Sequence, residues 1–344
     1  MQPQETLPPL ANDATPEQRK SALDAWVSQQ LGKPLSGEVA SADASFRRYF
    51  RYRWQEADGE HSLIAMDAPP QWEDCRPFVR VAGLLADAGV HVPHIIAQDL
   101  AQGFLLLPDM GTETWLHTLN ADNADAKFSL AIRDLIRIQR ISQPHVLPVY
   151  DEALLRRELQ LFPEWSMQRH LKMDVAPLQP LLDETFDILV TRALAQRQVY
   201  VHRDFMPRNL MESDPNPGIL DFQDAVYGPI SYDITCLFRD AFLSWPPPRV
   251  DGWLQQYWQQ AKSALVPVPE RFEDFLEDCD LMGAQRHLKV IGIFARICHR
   301  DGKPKYLADV PRFFTYLEQV VARRPQLAAL KTLLQQLPPF SPEP

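Results

Sequence analysis

The feature that most restricts the fold of this chain is a change of pattern near Gly111. Over residues 41–109, short apolar segments alternate with polar side chains, which is typical of half-buried β-strands. Beyond Gly111, apolar residues recur at helical spacing over long stretches. The sequence therefore predicts an α+β protein that consists of a small β-rich lobe and a larger helical lobe.

The predicted elements divide the chain into three regions. Thr15, followed by a proline, predicts the start of a helix that should end near Gly32. The small lobe is predicted to form a hairpin from residues 50–54 and 62–66, a helix at 73–88, and strands at 95–96 and 104–107. Helices of the larger lobe are predicted at 124–141, 151–162, 176–196, 250–264, 270–298 and 311–334. We therefore assign 1–40 to an N-terminal extension, 41–109 to the small lobe and 110–344 to the helical lobe.

Charge and cysteine content narrow the classes of function. The 344-residue chain has a formal net charge of −10, which argues against broad binding of nucleic acid. Its four cysteines lie far apart without a C-x-x-C pattern, so neither a disulfide framework nor a zinc site is expected. The sequence shows no signal peptide and no apolar run long enough to cross a bilayer. We expect a cytoplasmic monomer with small-molecule partners, without nucleic-acid or membrane partners.

A polar segment lies between two short apolar strands at 200–201 and 219–220. It begins with the pattern H-R-D-x-x-x-x-N, which contains Asp204 and Asn209, and Asp221 follows the second strand. Phosphoryl transfer needs a carboxylate that orients the attacking hydroxyl, and oxygen ligands for the Mg²⁺ that bridges the phosphates. We therefore predict Asp204 as the catalytic residue and Asn209 and Asp221 as metal ligands. Each residue alone would more often be structural, so the prediction depends on their joint occurrence in this order.

These motifs resemble the aminoglycoside phosphotransferase/choline kinase branch of kinase-like enzymes, and the resemblance extends over about residues 41–312. Residues 202–209 are similar to the catalytic loop of that family, and residues 220–222 are similar to its metal-binding segment. Asp233 resembles the aspartate that braces the catalytic loop, and His202 is assigned to the same structural support. The resemblance implies a bilobal protein-kinase-like fold, with ATP as co-substrate and Mg²⁺ as cofactor.

Five further segments are informative: A-S-F-R-R-Y-F-R from Ala44, M-D-A-P-P from Met66, F-L-L-L-P-D-M-G from Phe104, Q-R-H-L-K from Gln285 and R-D-G-K from Arg300. Together they resemble one subgroup of this family, the bacterial N-acetylmuramate/N-acetylglucosamine anomeric kinases of peptidoglycan recycling. The resemblance implies transfer of phosphate from ATP to the C1 hydroxyl of the free amino sugar.

The predicted nucleotide site departs from the usual kinase pattern. Met66 stands where a phosphate-binding lysine is expected, and residues 38–58 contain no glycine. We hypothesise that Arg47 or Arg48 supplies the cation, because an arginine fork fits phosphate oxygens; alternatively, both arginines only solubilise a strand face. The predicted nucleotide contacts are Ser45, Phe46, Arg47 and Arg48 and, by the resemblance, Leu107, Asp109 and Met110.

The helix predicted at 270–298 carries most candidate substrate contacts. Gln285, Lys289, Arg296 and Arg300 recur at a spacing that places them on one helix face, and the residues between them are largely apolar. A narrow cationic stripe would suit the lactyl carboxylate of N-acetylmuramate. Alternatively, these side chains pair with the acidic residues at the start of the helix.

Three functions stay open on the sequence alone. The first is the amino-sugar kinase, for which Asp204 and Asp224 are additional substrate contacts, although Asp224 could simply end a turn. The second is a kinase for another hydroxyl acceptor, such as an aminoglycoside, choline or ethanolamine, which the cationic stripe disfavours. The third is a nucleotide-binding pseudokinase, which the methionine at position 66 favours and the intact Asp204, Asn209 and Asp221 disfavour.

Overall fold

The computed structural model describes residues 14–41 and 46–343, and the chain divides into two compact units. One unit comprises Met1–Glu113 with Met211–Asp224, and the other comprises Thr114–Leu210 with Ala225–Pro344. An antiparallel sheet combined with many helices gives the predicted α+β class, which is confirmed. The lobe limits predicted at residues 40 and 109 stay a prediction.

The elements are numbered in chain order. The strands are β1 (Glu38–Ser41), β2 (Arg48–Glu56), β3 (Gly59–Asp67), β4 (Ala97–Asp99), β5 (Phe104–Pro108), β6 (Gln198–Val201), β7 (Leu210–Met211), β8 (Gly218–Ile219) and β9 (Val226–Pro229). The α-helices are α1 (Pro16–Leu31), α2 (Cys75–Asp87), α3 (Trp115–Thr118), α4 (Ala124–Arg140), α5 (Glu152–Leu159), α6 (Gln179–Ala195), α7 (Tyr232–Phe238), α8 (Pro247–Ser263), α9 (Phe272–Asp301), α10 (Val310–Arg323) and α11 (Ala328–Gln336).

Helix α1 begins and ends as its sequence predicts. The Thr15 hydroxyl accepts a hydrogen bond from the backbone N–H of Gln18, and the Gln18 side chain accepts one from the backbone N–H of Thr15. The helix ends at Gly32, whose φ of 66° lies in the left-handed region that glycine adopts without strain. Leu23 and Trp26 then pack into the core of the first unit.

The first unit is organised by a five-stranded antiparallel sheet in the order β1-β2-β3-β5-β4. Side chains along a strand alternate between its two faces. On β2, Phe50 and Tyr52 are buried in the cluster that includes α1, so Tyr49 and Arg51 belong to the opposite face. Tyr49 is directly paired with Met66 of β3. This register decides which candidate nucleotide contacts share a face.

The described residues of the second unit are mainly helical and include the short antiparallel pair of β6 and β9. Its longest helix, α9, runs close to a π-helix over Phe162–His170, and a Cβ at Gly292 would lie 2.5 Å from the backbone oxygen of Leu161. Glycine is needed here because the two backbones approach closely. In the described parts of the chain, no helix has the length and apolar character required to span a membrane.

Three predicted elements are corrected by the structure. The helix predicted at 311–334 is two helices, α10 and α11, because Pro325 disfavours a helical conformation at Arg324. The strand predicted at 95–96 lies at 97–99 instead. The helix predicted at 151–162 ends at Leu159, and the π-helix that follows was not predicted.

Candidate active site

The segment that contains Asp204 is held by the carboxylate of Asp233. One oxygen of Asp233 accepts a hydrogen bond from the backbone N–H of His202 at 2.6 Å, and the other accepts one from the backbone N–H of Arg203 at 2.9 Å. Arg203 has a φ of 76°, in the left-handed region that is unfavourable for a residue with a Cβ. The two hydrogen bonds therefore stabilise a strained turn directly before Asp204.

Asp233 is fully buried, and its charge is coupled to that of Asp204. Burial raises the pKa of Asp233 to about 7, the two backbone N–H donors oppose this rise, and the charge of Asp204 adds to it. Strongly shifted pKa values of this kind cluster at functional sites.

Asn209 closes the same turn with its side chain. Its Nδ2 donates a hydrogen bond to the backbone oxygen of Asp204 at 2.9 Å, and its backbone N–H donates to the backbone oxygen of Met206 at 2.8 Å. A 3₁₀ turn over Pro207–Asn209 produces this geometry. Because the amide nitrogen is used by the loop, a cation near Asn209 would meet the amide oxygen.

Asp221 lies in the first unit, two residues after β8. Its φ of 62° is left-handed, a conformation that aspartate tolerates better than most residues. Gln223 Nε2 donates to Asp221 at 2.9 Å and lies 3.5 Å from Asp224, so it contacts both carboxylates. Phe222 is buried and packs on Phe78 of α2 with ring centroids 4.7 Å apart. The buried Phe222 thereby fixes the backbone that carries Asp221.

The donor types at these positions fit magnesium. Mg²⁺ prefers hard oxygen ligands such as carboxylates, amide oxygens and water. Asp221 and Asp224 offer carboxylate oxygens, and the orientation of the Asn209 amide offers its oxygen. The residues that the sequence assigns to the metal are therefore chemically suited to it.

A buried charged network in the second unit contacts the turn that contains Arg203 and Asp204. Glu158 of α5 forms ion pairs with Arg203 and with Lys289, whose Nζ is 3.0 Å from a Glu158 oxygen. Lys289 Nζ also lies 3.1 Å from the Tyr232 hydroxyl, and Tyr150 donates a hydrogen bond to Glu158. Burial alone would raise the pKa of Glu158, but Lys289 and Arg203 hold it below its ordinary value. The charged Glu158 therefore ties α9 to the turn before Asp204.

The four candidate substrate residues of α9 have different surroundings. Gln285 is buried and its amide nitrogen lies 3.4 Å from Glu158, so it belongs to the same network as Lys289. Arg296 is half-buried, whereas Arg300 is exposed and pairs with Asp301 at 2.6 Å. The partners found for Lys289 and Arg300 are thus not the acidic residues at the start of α9. The structure brings Gln285 and Lys289 together at Glu158, which also pairs with Arg203 in the turn before Asp204.

The candidate nucleotide residues at the end of β5 lie in a compact arrangement. Leu107 is buried and paired with Ile64, and Met110 is also buried. The carboxylate of Asp109 accepts hydrogen bonds from Arg51 at 2.6 Å and from the backbone N–H of Gly111 at 3.0 Å. The side chain of Asp109 therefore stabilises the segment, and its backbone is the part suited to a nucleotide base.

The candidate nucleotide residues around the start of β2 have different surroundings. Arg48 pairs with the fully buried Asp67, and Arg19 of α1 contacts the same carboxylate at 2.8 Å. Arg47 instead lies 3.5 Å from Glu73. Phe46 is exposed and stacks on another aromatic ring, whereas Ser45 lies outside the described residues.

Sequence reasoning missed the partners that hold the predicted residues. Glu158 is 45 positions from Arg203, and nothing in its local sequence marks it as buried. Glu73 was assigned only to the start of a helix, although it meets Arg47 in the structure. Arg203 is marked in the sequence by the H-R-D pattern, but that pattern does not show that its partner is Glu158.

Comparison with known proteins identifies relatives along nearly the whole chain. A family model described as the phosphotransferase enzyme family matches residues 36–275. A Pseudomonas aeruginosa protein named N-acetylmuramate/N-acetylglucosamine kinase is 58% identical over 337 residues, which cover 96% of this chain and 98% of the relative. Proteins of the same name from Pseudomonas putida and Neisseria meningitidis are 57% and 44% identical, and each match covers 93% of this chain and 96% of the relative.

Solved structures share the fold at low sequence identity. An ADP-bound aminoglycoside phosphotransferase, APH(2'')-Ib, has a TM-score of 0.58 at 13% identity, covering 85% of this chain and 96% of its own. The choline kinase LicA from Streptococcus pneumoniae has a TM-score of 0.59 at 12% identity, covering 88% of this chain and 99% of its own. The predicted protein-kinase-like fold is thereby confirmed. Together with the match over residues 36–275, these findings establish that the chain belongs to the phosphotransferase enzyme family.

Proposed function

We propose that this protein is a magnesium-dependent kinase that transfers the γ-phosphate of ATP to the C1 hydroxyl of N-acetylmuramate and N-acetylglucosamine. The observation that carries the proposal is the similarity along 96% of the chain to a relative named for both sugars. The match extends through the helical unit, which is where substrate contacts are expected, and is therefore not limited to the nucleotide-binding segments.

In the proposed reaction, Asp204 orients the C1 hydroxyl and accepts its proton while the C1 oxygen bonds to the γ-phosphorus. The bond between that phosphorus and the bridging oxygen breaks, so ADP leaves. Asn209 and Asp221 would hold the Mg²⁺, which when bound would neutralise charge on the phosphate oxygens. The contacts from Asp233 to the backbone before Asp204 support this role, because positioning contributes strongly to catalysis.

The sugar would be bound by residues of the helical unit and by Asp224. Arg296 and Arg300 are the α9 cations suited to an anionic lactyl group, since Arg296 is half-buried and Arg300 is exposed. Gln285 and Lys289 would act close to the catalytic turn, where Lys289 already neutralises Glu158. The nucleotide would use Arg47 or Arg48 together with the backbone near Asp109.

The decisive test is to incubate the purified protein with Mg·ATP and separate acceptors, and to identify products by phosphorus NMR. N-acetylmuramate and N-acetylglucosamine should each yield a sugar 1-phosphate. Phosphorylated choline, ethanolamine or aminoglycoside in place of the sugar product would reassign the acceptor. Nucleotide binding without turnover on any acceptor would instead indicate a pseudokinase.

The metal assignment has its own test. Asn209→Ala and Asp221→Ala should each raise the Mg²⁺ concentration needed for half-maximal turnover, and a Mn²⁺ titration should show the same order of variants. His145→Ala, which changes an exposed loop residue with no assigned role, is the matched control. Wild-type metal dependence in both ligand variants would refute the assignment.

A further inference from the structure

The register of the first sheet defines the surroundings of the position at which the family lysine is missing. Met66 of β3 is directly paired with Tyr49 of β2. Directly paired residues of antiparallel strands point to the same face of the sheet. Tyr49 therefore lies beside the place that a phosphate-binding lysine would occupy.

Arg47, directly before β2, and Arg48, its first residue, have different partners, Glu73 and Asp67. Arg48 lies on the face of Phe50 and Tyr52, where the buried Asp67 holds it together with Arg19. Its guanidinium also donates to the backbone oxygen of Pro16 at 3.1 Å. Arg48 therefore connects the sheet to α1, which explains its presence without a nucleotide.

Arg47 lies on the face of Tyr49 and Met66. Its guanidinium is 3.5 Å from Glu73, which precedes α2, and it forms a hydrogen bond with the Tyr49 hydroxyl. Only 14% of the Arg47 side chain and 22% of the Glu73 side chain are exposed. A guanidinium held from two sides in a partly desolvated position interacts more strongly with an anion than a solvated one does.

Asp221 belongs to the same neighbourhood in the first unit. Burial raises the pKa of Tyr49 to about 12, Arg47 opposes the rise, and the charges of Asp221 and Glu73 add to it. Asp221 and Arg47 therefore both contribute to the electrostatic environment of Tyr49. In kinases, a metal ion and a cationic side chain share the charge of the nucleotide phosphates.

We infer that Arg47 replaces the missing lysine as the cation that binds the ATP phosphates, with Glu73 and Tyr49 as the residues that position it. Protein kinases hold their phosphate-binding lysine by an ion pair with a helix glutamate. Here a pair between Arg47, directly before β2, and Glu73, before α2, would take that place. The inference rests on the proposed function in taking ATP as the nucleotide. Arg48 then has a structural role, since it connects the sheet to α1.

The test compares nucleotide binding by isothermal titration calorimetry without any sugar present. Arg47→Ala should weaken binding of Mg·ATP by roughly tenfold or more, as expected for a lost charge-assisted contact, and binding of adenosine should be unchanged. Arg47→Lys should recover part of the affinity. Glu73→Gln and Tyr49→Phe should weaken Mg·ATP binding by a few fold, and their KM for ATP should rise while the KM for the sugar stays constant.

Arg53→Ala is the matched control, since it removes the same charge from the same face of β2 at an exposed site. Its affinity for Mg·ATP should equal that of the wild type. Unchanged ATP affinity in Arg47→Ala overturns the inference, and so does an equal loss for ATP and adenosine, which would indicate a folding defect. Because no acceptor is present, the result does not depend on which sugar is phosphorylated; failure of the proposed function would appear in the product assay alone.

Discussion

Replacing Asp233 with asparagine should show how much its hydrogen bonds to the turn before Asp204 contribute to stability and to turnover. In the wild type, each carboxylate oxygen accepts a different backbone N–H, those of His202 and Arg203. An asparagine offers one oxygen, and its amide N–H₂ would face the other backbone N–H. A buried donor without an acceptor costs about 1–3 kcal/mol, so the free energy of unfolding of Asp233→Asn should be lower by about that amount than that of an Asp→Asn variant that loses the same buried charge but keeps its hydrogen bonds.

The same substitution should also reduce turnover, and by more than the loss of folded protein can explain. Arg203 holds a left-handed φ of 76° directly before Asp204, and loss of one hydrogen bond releases that turn. Small displacements of catalytic groups reduce rates by up to about 10²-fold. We therefore expect kcat for the sugar to fall by about 10- to 100-fold, while the affinity for Mg·ATP measured without sugar changes little.

Asp240 provides a matched control in the same unit. It is also a fully buried aspartate, but one oxygen accepts both the N–H of Phe242 at 2.7 Å and the N–H of Leu243 at 2.9 Å. Asp240→Asn can keep both bonds with its single oxygen, so it should lose less stability than Asp233→Asn and should retain kcat. The assays are urea unfolding and steady-state kinetics near pH 8. Equal stability losses in the two variants, or wild-type kcat in Asp233→Asn, would refute the reasoning.

Three further predictions follow from other parts of the chain. Asp204→Asn should reduce kcat by orders of magnitude in the sugar assay and leave Mg·ATP affinity unchanged in calorimetry, because the group acts on the acceptor; loss of ATP binding would contradict its role. Burial raises the pKa of Asp278 to about 6, so the folded protein binds a proton at this carboxyl more tightly than the unfolded chain does. The stability gained from this proton is fully present below the ordinary carboxyl pKa and is lost as the pH rises through about 6. Asp278→Asn should therefore be more stable than the wild type in urea at pH 8, and this advantage should vanish near pH 4; a constant difference across pH would argue against this account. Gly292→Ala should lower the unfolding free energy by about 1–3 kcal/mol, because the new Cβ overlaps the Leu161 backbone. Gly252→Ala, whose Cβ meets no atom within 4 Å, should instead raise the unfolding free energy by about 0.5–1 kcal/mol. Equal effects of the two substitutions would show that close backbone packing does not require glycine at position 292.

Local patterns in the sequence were sufficient for the class of fold and for the type of chemistry. The capping residues of α1 act on backbone groups within four positions, so Thr15 and Gly32 could be read directly. The H-R-D-x-x-x-x-N pattern likewise encodes a turn in which Asn209 bonds to the backbone of Asp204. Short-range hydrogen bonds and side-chain periodicity need no knowledge of the rest of the molecule.

Only the tertiary structure decided which distant groups hold these residues. Gln285 and Lys289 were predicted on a cationic helix face, but packing buries them beside Glu158, more than 120 positions away. Arg47 and Arg48 are equivalent as neighbours in sequence, and the fold gives them different partners, Glu73 and Asp67. Partners at such separations depend on how helices and strands pack, because a side chain's charge and burial are set by whatever the fold brings next to it.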